Sequence, residues 1–248
     1  DTDIPMVLVG DSASMVVYGY NNTMPITMEE LLLITKSVKR GINKALIVAD
    51  MPFMSYQPSN EQAVKNAGKF IKEGGADAVK LEGGIEYINR ILRIVKAGIP
   101  VMAHIGLQPQ SILKDSGYKI QGKLLKGALK IYNDAIALEN AGVFSIVLEG
   151  VPQELAKIIT EKVKIPTIGI GAGQYCDGQI QVFHDLIGSF DSKIPKHAKK
   201  YINNYKIIKD ASEQYCEEVR NKTFPYKINA VKMDSKELIS LRKNIEDI

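Results

Sequence analysis

Cysteine is scarce in this chain, with Cys176 and Cys216 the only two among 248 residues. Two cysteines cannot build a disulfide framework, and neither has metal-ligating company at close spacing, which fits a reducing compartment. Histidine is almost as rare: His104, His184 and His197 are scattered, which argues against a structural zinc site. No apolar run approaches the roughly 18 residues of a membrane span, and no signal-peptide pattern opens the chain. The sequence therefore reads as a soluble, cytoplasmic protein with no membrane partner. Residue 1 is Asp and not Met, so the natural start is processed, cut or upstream, and a targeting segment there would not be visible. Strong charge is also lacking. A formal net charge of +4, with basic residues spread along predicted helices instead of gathered with aromatics, argues against nucleic acid as a partner. There is no internal repeat and no low-complexity linker.

What is present is a series of short β-type runs separated by helix-length segments, the pattern of a parallel sheet with crossover helices. With 248 residues and 45% hydrophobic content the chain has the size of one large α/β domain, near the roughly 250 residues of a (β/α) barrel. Five runs deliver a polar residue at their C-terminal end. Residues 4–9 lead into Val9-Gly10-Asp11-Ser12, 45–49 into Asp50, 78–79 into Lys80 with Glu82 just beyond, 101–103 into His104, and 146–148 into Glu149. In a barrel, that shared face carries the active site. Residues 167–170 and 179–184 supply two further strand predictions. Helices are predicted over 28–40 with Thr27 as N-cap, 61–73 after Ser59, 85–97, 124–140 and 152–162. Seven strands fall one short of eight, and the spacing places the gap at the front, so the first barrel strand is expected upstream. A βα unit of about 20 to 40 residues would fill it. We expect a catalytic barrel domain over 1–190 and a Lys-rich helical extension over 191–248, whose surface helices cover the barrel or serve an oligomer contact, with external pairing as the alternative.

Asp11, Asp50 and Glu82 place three carboxylates at or just past three successive strand ends, the oxygen donors that a hard divalent cation such as Mg²⁺ prefers. Any one of them alone would more simply cap a helix or brace a turn. Lys80 and Glu82 are two apart, so on one strand they point to the same side, a geometry for an acidic substrate or for an ordinary ion pair. Glu149 ends a strongly apolar run, where partial burial favours a general base. The glycines of Gly169-Ile170-Gly171-Ala172-Gly173 invite a phosphate-loop reading, but the third glycine of the dinucleotide fingerprint and its acidic ribose partner are missing. Close packing against a ligand or a neighbouring helix is the better expectation.

Taken together, the chain resembles the ketopantoate hydroxymethyltransferase family. The resemblance rests on residues 8–12 (Leu-Val-Gly-Asp-Ser), 49–54 (Ala-Asp-Met-Pro-Phe-Met), 79–84 (Val-Lys-Leu-Glu-Gly-Gly), 103–107 (Ala-His-Ile-Gly-Leu), 117–122 (Gly-Tyr-Lys-Ile-Gln-Gly), 148–152 (Leu-Glu-Gly-Val-Pro) and 168–173 (Ile-Gly-Ile-Gly-Ala-Gly), in family order. It implies a (β/α)8 TIM barrel of the phosphoenolpyruvate/pyruvate superfamily. The implied reaction passes a hydroxymethyl group from 5,10-methylenetetrahydrofolate to 3-methyl-2-oxobutanoate, giving 2-dehydropantoate for pantothenate biosynthesis. Mg²⁺ would be held by Asp11 and Asp50, with Glu82 completing the site; Ser12 and Lys80 would contact the keto acid together with Asp11 and Asp50. Glu149 would be the base, and His104 would line the pocket. A homo-oligomer, often a decamer, is implied. Two departures stand out: the family's N-terminal helix and first strand are not in this chain, and residues 224–230 lack the histidine of the family's usual C-terminal stretch. Two other readings stay open here, a Mg²⁺-dependent 2-oxo acid carbon–carbon lyase and a non-catalytic subunit.

Overall fold

The structure is a computed structural model and describes residues 2–246 apart from 116, 118, 192 and 193. Tyr118, in one of the matching motifs, lies outside the described residues, as do 247 and 248 at the predicted amphipathic end. Two compact units are present, Asp1–Leu186 with Ile194–Lys199, and Ile187–Lys193 with Lys200–Ile248.

The first unit is built on seven parallel strands in the order β1-β2-β3-β4-β5-β6-β7. They are β1 (Met6–Val9), β2 (Leu46–Asp50), β3 (Ala78–Glu82), β4 (Val101–Gly106), β5 (Ser145–Glu149), β6 (Thr167–Ile170) and β7 (Gly178–Gln179). The helices are α1 (Ala13–Val16), α2 (Met28–Gly41), α3 (Asn60–Lys72), α4 (Ile88–Lys96), α5 (Ile112–Asp115), α6 (Leu125–Asn140), α7 (Gln153–Lys162) and α8 (Phe183–Ile187). Sequence order equals spatial order, so each polar strand end is the neighbour of the next.

Local chemistry starts the helices where the sequence says it should. The Thr27 N–H donates to Glu30 Oε2 at 2.8 Å while Glu30 N–H donates to Thr27 Oγ1 at 3.2 Å, a reciprocal cap on α2. Ser59 Oγ accepts from Gln62 N–H at 3.1 Å and starts α3. Each such cap is worth about 1 kcal/mol.

The two-residue period of the strands separates two cores. Ile47, Ala49, Val79, Leu81, Ala103, Ile105, Ile146 and Leu148 face the helices and join the larger core with Leu31, Phe70, Ile91, Leu138 and Ile159. The alternate residues Val48, Ala78, Met102 and Val147 form a second, small core on the opposite face, with Met6, Leu8 and Ile168 packed against it. Continuing that alternation along β2 to β5 places Asp50, Lys80, Glu82, His104 and Glu149 on the face of this second core. A dry floor of four side chains thus lies beneath a polar rim.

One predicted strand is corrected. Of residues 179–184 only Gln179 belongs to the strand paired with β6, which is Gly178–Gln179, and the last ladder bond is from Ile180 N–H to Gly169 O at 3.0 Å. The Gln181 side chain then binds the Lys199 backbone, donating to its carbonyl at 2.7 Å and accepting from its N–H at 3.0 Å. That leaves residues 183–187 free to coil as α8. The apolar alternation of Ile180 and Val182 imitates a strand without a partner to complete it. The β6–β7 connection, residues 171–177, is also a loop and not the crossover helix expected of an interior strand.

The second unit contains α9 (Asn204–Arg220), a 3-10 turn at Lys227–Asn229 and α10 (Ser235–Glu246). None of the described residues of α9 or α10 is buried within the chain.

Candidate active site

The polar strand ends meet as a continuous network. Asp11, just past β1, donates its backbone N–H to Asp50 Oδ2 at 3.1 Å. Asp50 closes β2, opposite Lys80 of β3 in the sheet register, and Lys80 Nζ lies 2.9 Å from Asp50 Oδ1. Lys80 Nζ is also 3.4 Å from His104 Nδ1 on β4. An ammonium offers only donors, so in the neutral imidazole Nδ1 accepts and the proton sits on Nε2. His104 Nε2 in turn lies 3.1 Å from Glu149 Oε2 at the end of β5, within ion-pair distance although not aligned as a hydrogen bond. Glu82, beside His104 in register, places Oε1 3.6 Å from Nδ1.

Burial differs along this row in a way the sequence did not show. Asp11, Asp50, Lys80, Glu82 and His104 are all buried. The loop after β4 contributes to this enclosure, since Gln110 reaches Asp11, Glu82 and the Met51 carbonyl. Glu149 is the exception, with 16% of its side chain exposed. It lines a cavity of about 250 Å³ with Leu107, Lys119, Ile120, Pro195 and His197. Gly106 brings β4 and β5 together there: its φ is +96°, and a Cβ would sit 2.2 Å from the Glu149 carbonyl oxygen. The close approach lets Leu107 N–H reach that oxygen at 2.8 Å. Ser12 is half-buried at the start of α1, and its hydroxyl makes no capping bond.

Enclosing like charges has electrostatic consequences. Burial, reinforced by the Asp50 charge, pushes the Asp11 carboxyl up to about 7. Burial also holds Glu82 well above the usual carboxylate range, with Asp11 and Asp50 adding to it and Lys80 opposing. For Lys80, burial works against the charged form, but Asp50, Glu82 and Asp11 outweigh it and hold the ammonium above its ordinary value. Three buried carboxylates face one buried ammonium, a shortage of cationic partners that burial answers by favouring the protonated forms of Asp11 and Glu82.

That shortage is the observation against which a cation is judged. Among the described residues, no three His, Cys, Asp or Glu side chains form a ready-made cage. Mg²⁺ does not require one, since it is commonly held by one or two carboxylates with water and substrate completing the shell. The adjoining Asp11 and Asp50 fit this demand. Asp50 Oδ1, Glu82 Oε1 and His104 Nε2 are also buried without an aligned hydrogen-bond partner. Glu82 is not brought into direct partnership with the aspartates, because Gln110 N–H holds its Oε2 at 3.0 Å.

Two members of the site escaped the sequence reading. Gln110 is buried in the loop after β4, and Tyr56 in the loop after β2. Neither ends an apolar run, so the strand-end signal that marks the charged residues passes them by.

A profile of the ketopantoate hydroxymethyltransferase family matches residues 1–227. The chain belongs to this family. Among similar proteins, the 3-methyl-2-oxobutanoate hydroxymethyltransferase of Dehalococcoides mccartyi (strain ATCC BAA-2100 / JCM 16839 / KCTC 5957 / BAV1) is 55% identical over 97% of this chain and 86% of that protein. Proteins of the same name from Thermoanaerobacter sp. (strain X514) and Clostridium beijerinckii (strain ATCC 51743 / NCIMB 8052) are 53% and 51% identical, over 94% and 95% of this chain and 85% and 86% of theirs. In fold, the chain is similar to a phosphonopyruvate hydrolase solved with oxalate and Mg²⁺, with a TM-score of 0.57 at 12% identity over 98% of this chain and 84% of that one. A phosphoenolpyruvate phosphomutase from Streptomyces platensis subsp. rosaceus gives 0.56 at 13% identity over 98% and 85%. The architecture of this ketopantoate hydroxymethyltransferase family member is thus TIM-barrel-like.

The glycine loop after β6 serves packing, in keeping with that expectation. Gly173 has φ +78°, and a Cβ there would meet Gln153 Cβ of α7 at 2.3 Å.

Proposed function

We propose that this chain transfers a hydroxymethyl group from 5,10-methylenetetrahydrofolate to C3 of 3-methyl-2-oxobutanoate, taking up water and releasing 2-dehydropantoate and tetrahydrofolate. The observation that carries the reading is the position of Glu149, the one partly exposed carboxylate in a row of buried ones, at a cavity and beside His104. A base must reach substrate, and Glu149 alone among these carboxylates has been left able to do so.

Glu149 Oε takes the C3 proton. His104 orients it, its Nε2 lying 3.1 Å from Glu149 Oε2. Lys80 supplies the positive charge for the substrate carboxylate, and its position between Asp50 and His104 keeps it charged and in place. The Ser12 hydroxyl, free of capping duty, contacts the keto acid. Asp11 and Asp50 hold Mg²⁺, with Glu82 completing the site through water. When bound, the cation draws electron density from the keto group and so acidifies the C3 proton.

The names of the relatives favour this transfer over a 2-oxo acid lyase and over a non-catalytic subunit. The same reading gives a catalytic region over 1–190, a helical extension over 191–248, and a homo-oligomer acting in the cytoplasm.

The test follows two signals in one sample: NMR in deuterated water for loss of the C3 proton of 3-methyl-2-oxobutanoate, and absorbance for consumption of methylenetetrahydrofolate. Both are expected to depend on Mg²⁺. Proton exchange with no folate consumed would overturn the transfer and leave the lyase reading in its place.

A further inference from the structure

Gln110 has no part in the scheme above, yet it makes the densest set of polar contacts around the aspartates. Its side-chain amide donates both hydrogens, one to Asp11 Oδ2 at 3.0 Å and one to the Met51 carbonyl at 2.9 Å. Its Oε1 lies 2.9 Å from the Tyr56 hydroxyl, and its backbone N–H donates to Glu82 Oε2 at 3.0 Å. Gln110 and Tyr56 are both buried, and Tyr56 is wedged edge-on against Tyr87 with ring centroids 5.4 Å apart. Three strand ends, after β1, β2 and β3, are thereby tied to one residue of the loop after β4.

The orientation of that amide is determined by its neighbours. The Met51 carbonyl can only accept, so the nitrogen must face it and the oxygen must face the hydroxyl. Flipping the amide would set its oxygen against that carbonyl oxygen. With Oδ2 engaged in this way, the Asp11 carboxyl is held in one rotation about its own axis.

We infer that Gln110 is a positioning residue for the cation site, fixing the Asp11 carboxylate for divalent-metal binding, with Tyr56 fixing Gln110 in turn. The inference rests on the reading of Asp11 as a metal ligand. Partners that orient ligating carboxylates commonly change metal affinity by about 10- to 100-fold when removed.

The experiment is a titration of the full-length, metal-free protein with Mn²⁺, followed by electron paramagnetic resonance of the free ion, without substrates. Gln110→Met keeps the length of the side chain and the backbone N–H to Glu82 but removes the amide. It is expected to bind Mn²⁺ about 10- to 100-fold more weakly than the wild type, at a temperature where its circular dichroism matches that of the wild type. Tyr56→Phe preserves the ring packing and removes only the hydroxyl. It is expected to fall between the two, and it carries the test should Gln110→Met fail to fold. Asp11→Asn separates the premises: if it binds Mn²⁺ as the wild type does, the ligand assignment itself fails and this inference with it. If Asp11→Asn loses binding while a folded Gln110→Met, or Tyr56→Phe in its stead, keeps wild-type affinity, the assignment stands and the positioning role is overturned.

Discussion

Strand β3 and helix α9 both carry lysines beside carboxylates, and the two settings have opposite physical meanings. In β3 every residue is buried, Lys80 and Glu82 included, and Lys80 meets Asp50 with 4% and 1% of the two side chains exposed. In α9 no residue is buried, and Lys209 approaches Glu213 at 3.7 Å with more than half of each side chain exposed. The α9 pair is four residues apart on one helix, dictated by local geometry and bathed in solvent. The β3 pair joins two strands, has surrendered its hydration, and is tolerable only because each charge has the other. A pair of the first kind serves helix and solubility. A pair of the second kind marks a place where the fold accepts a cost for chemistry.

The largest expected effect breaks the buried member of this comparison. Lys80→Met leaves Asp50 without its ion pair and should lower stability by about 3–5 kcal/mol in urea unfolding, whereas Lys209→Ala should change it by no more than about 0.5 kcal/mol. Comparable losses in the two variants would show that burial does not distinguish the pairs. By the same reasoning Asp50→Ala is not a silent change to the fold, because it strands a buried ammonium.

Next in size, and separating charge needed for folding from charge needed for chemistry, is Glu149→Gln. Its partly exposed side chain should leave the unfolding midpoint near that of the wild type while C3 proton exchange falls by about 10² to 10⁴. An unchanged exchange rate would place the base elsewhere.

The third prediction concerns pH and sharpens the view of the buried cluster. Asp11 titrates at about 7 in the fold against 3.8 as an ordinary carboxyl, burial being the main cause and Asp50 the second. Between those values the unfolded chain has released a proton that the folded chain retains, so the stability contribution of Asp11 declines as pH rises from about 4 to 7 and is level above. The melting temperature of the metal-free protein should therefore decline more steeply across that window than that of Asp11→Asn. Added Mg²⁺ should protect most above pH 7, where no proton competes for the carboxylate. Parallel curves for the two proteins would show that Asp11 is not the group titrating.

How much of this could be read in advance differs between rim and fastening. Strands β1 to β6 announce themselves as apolar runs, and Thr27 and Ser59 announce their helices, because these signals are local. The rim residues are legible for the same reason: each lies at or next to the end of a run. Gln110 and Tyr56 are not legible, since a loop glutamine and a loop tyrosine carry no periodic mark. β7 was over-read because Ile180 and Val182 alternate like a strand, while the decision to leave the ladder lay with Gln181 and Lys199, 18 residues apart.

From the sequence by itself come the strands, the caps, the facing of Lys80 and Glu82 to one side, and the family motifs in their order. All of these depend on neighbours within one element, where backbone period and side-chain type suffice. Only the tertiary structure decides that Asp11 meets Gln110, 99 positions away, that Asp50 and not Glu82 receives the Lys80 ammonium at 2.9 Å, and that Glu149 lines a cavity. Parallel register sets those partners, and register follows from the packing of all the strands at once, against the helices on one face and the small inner core on the other.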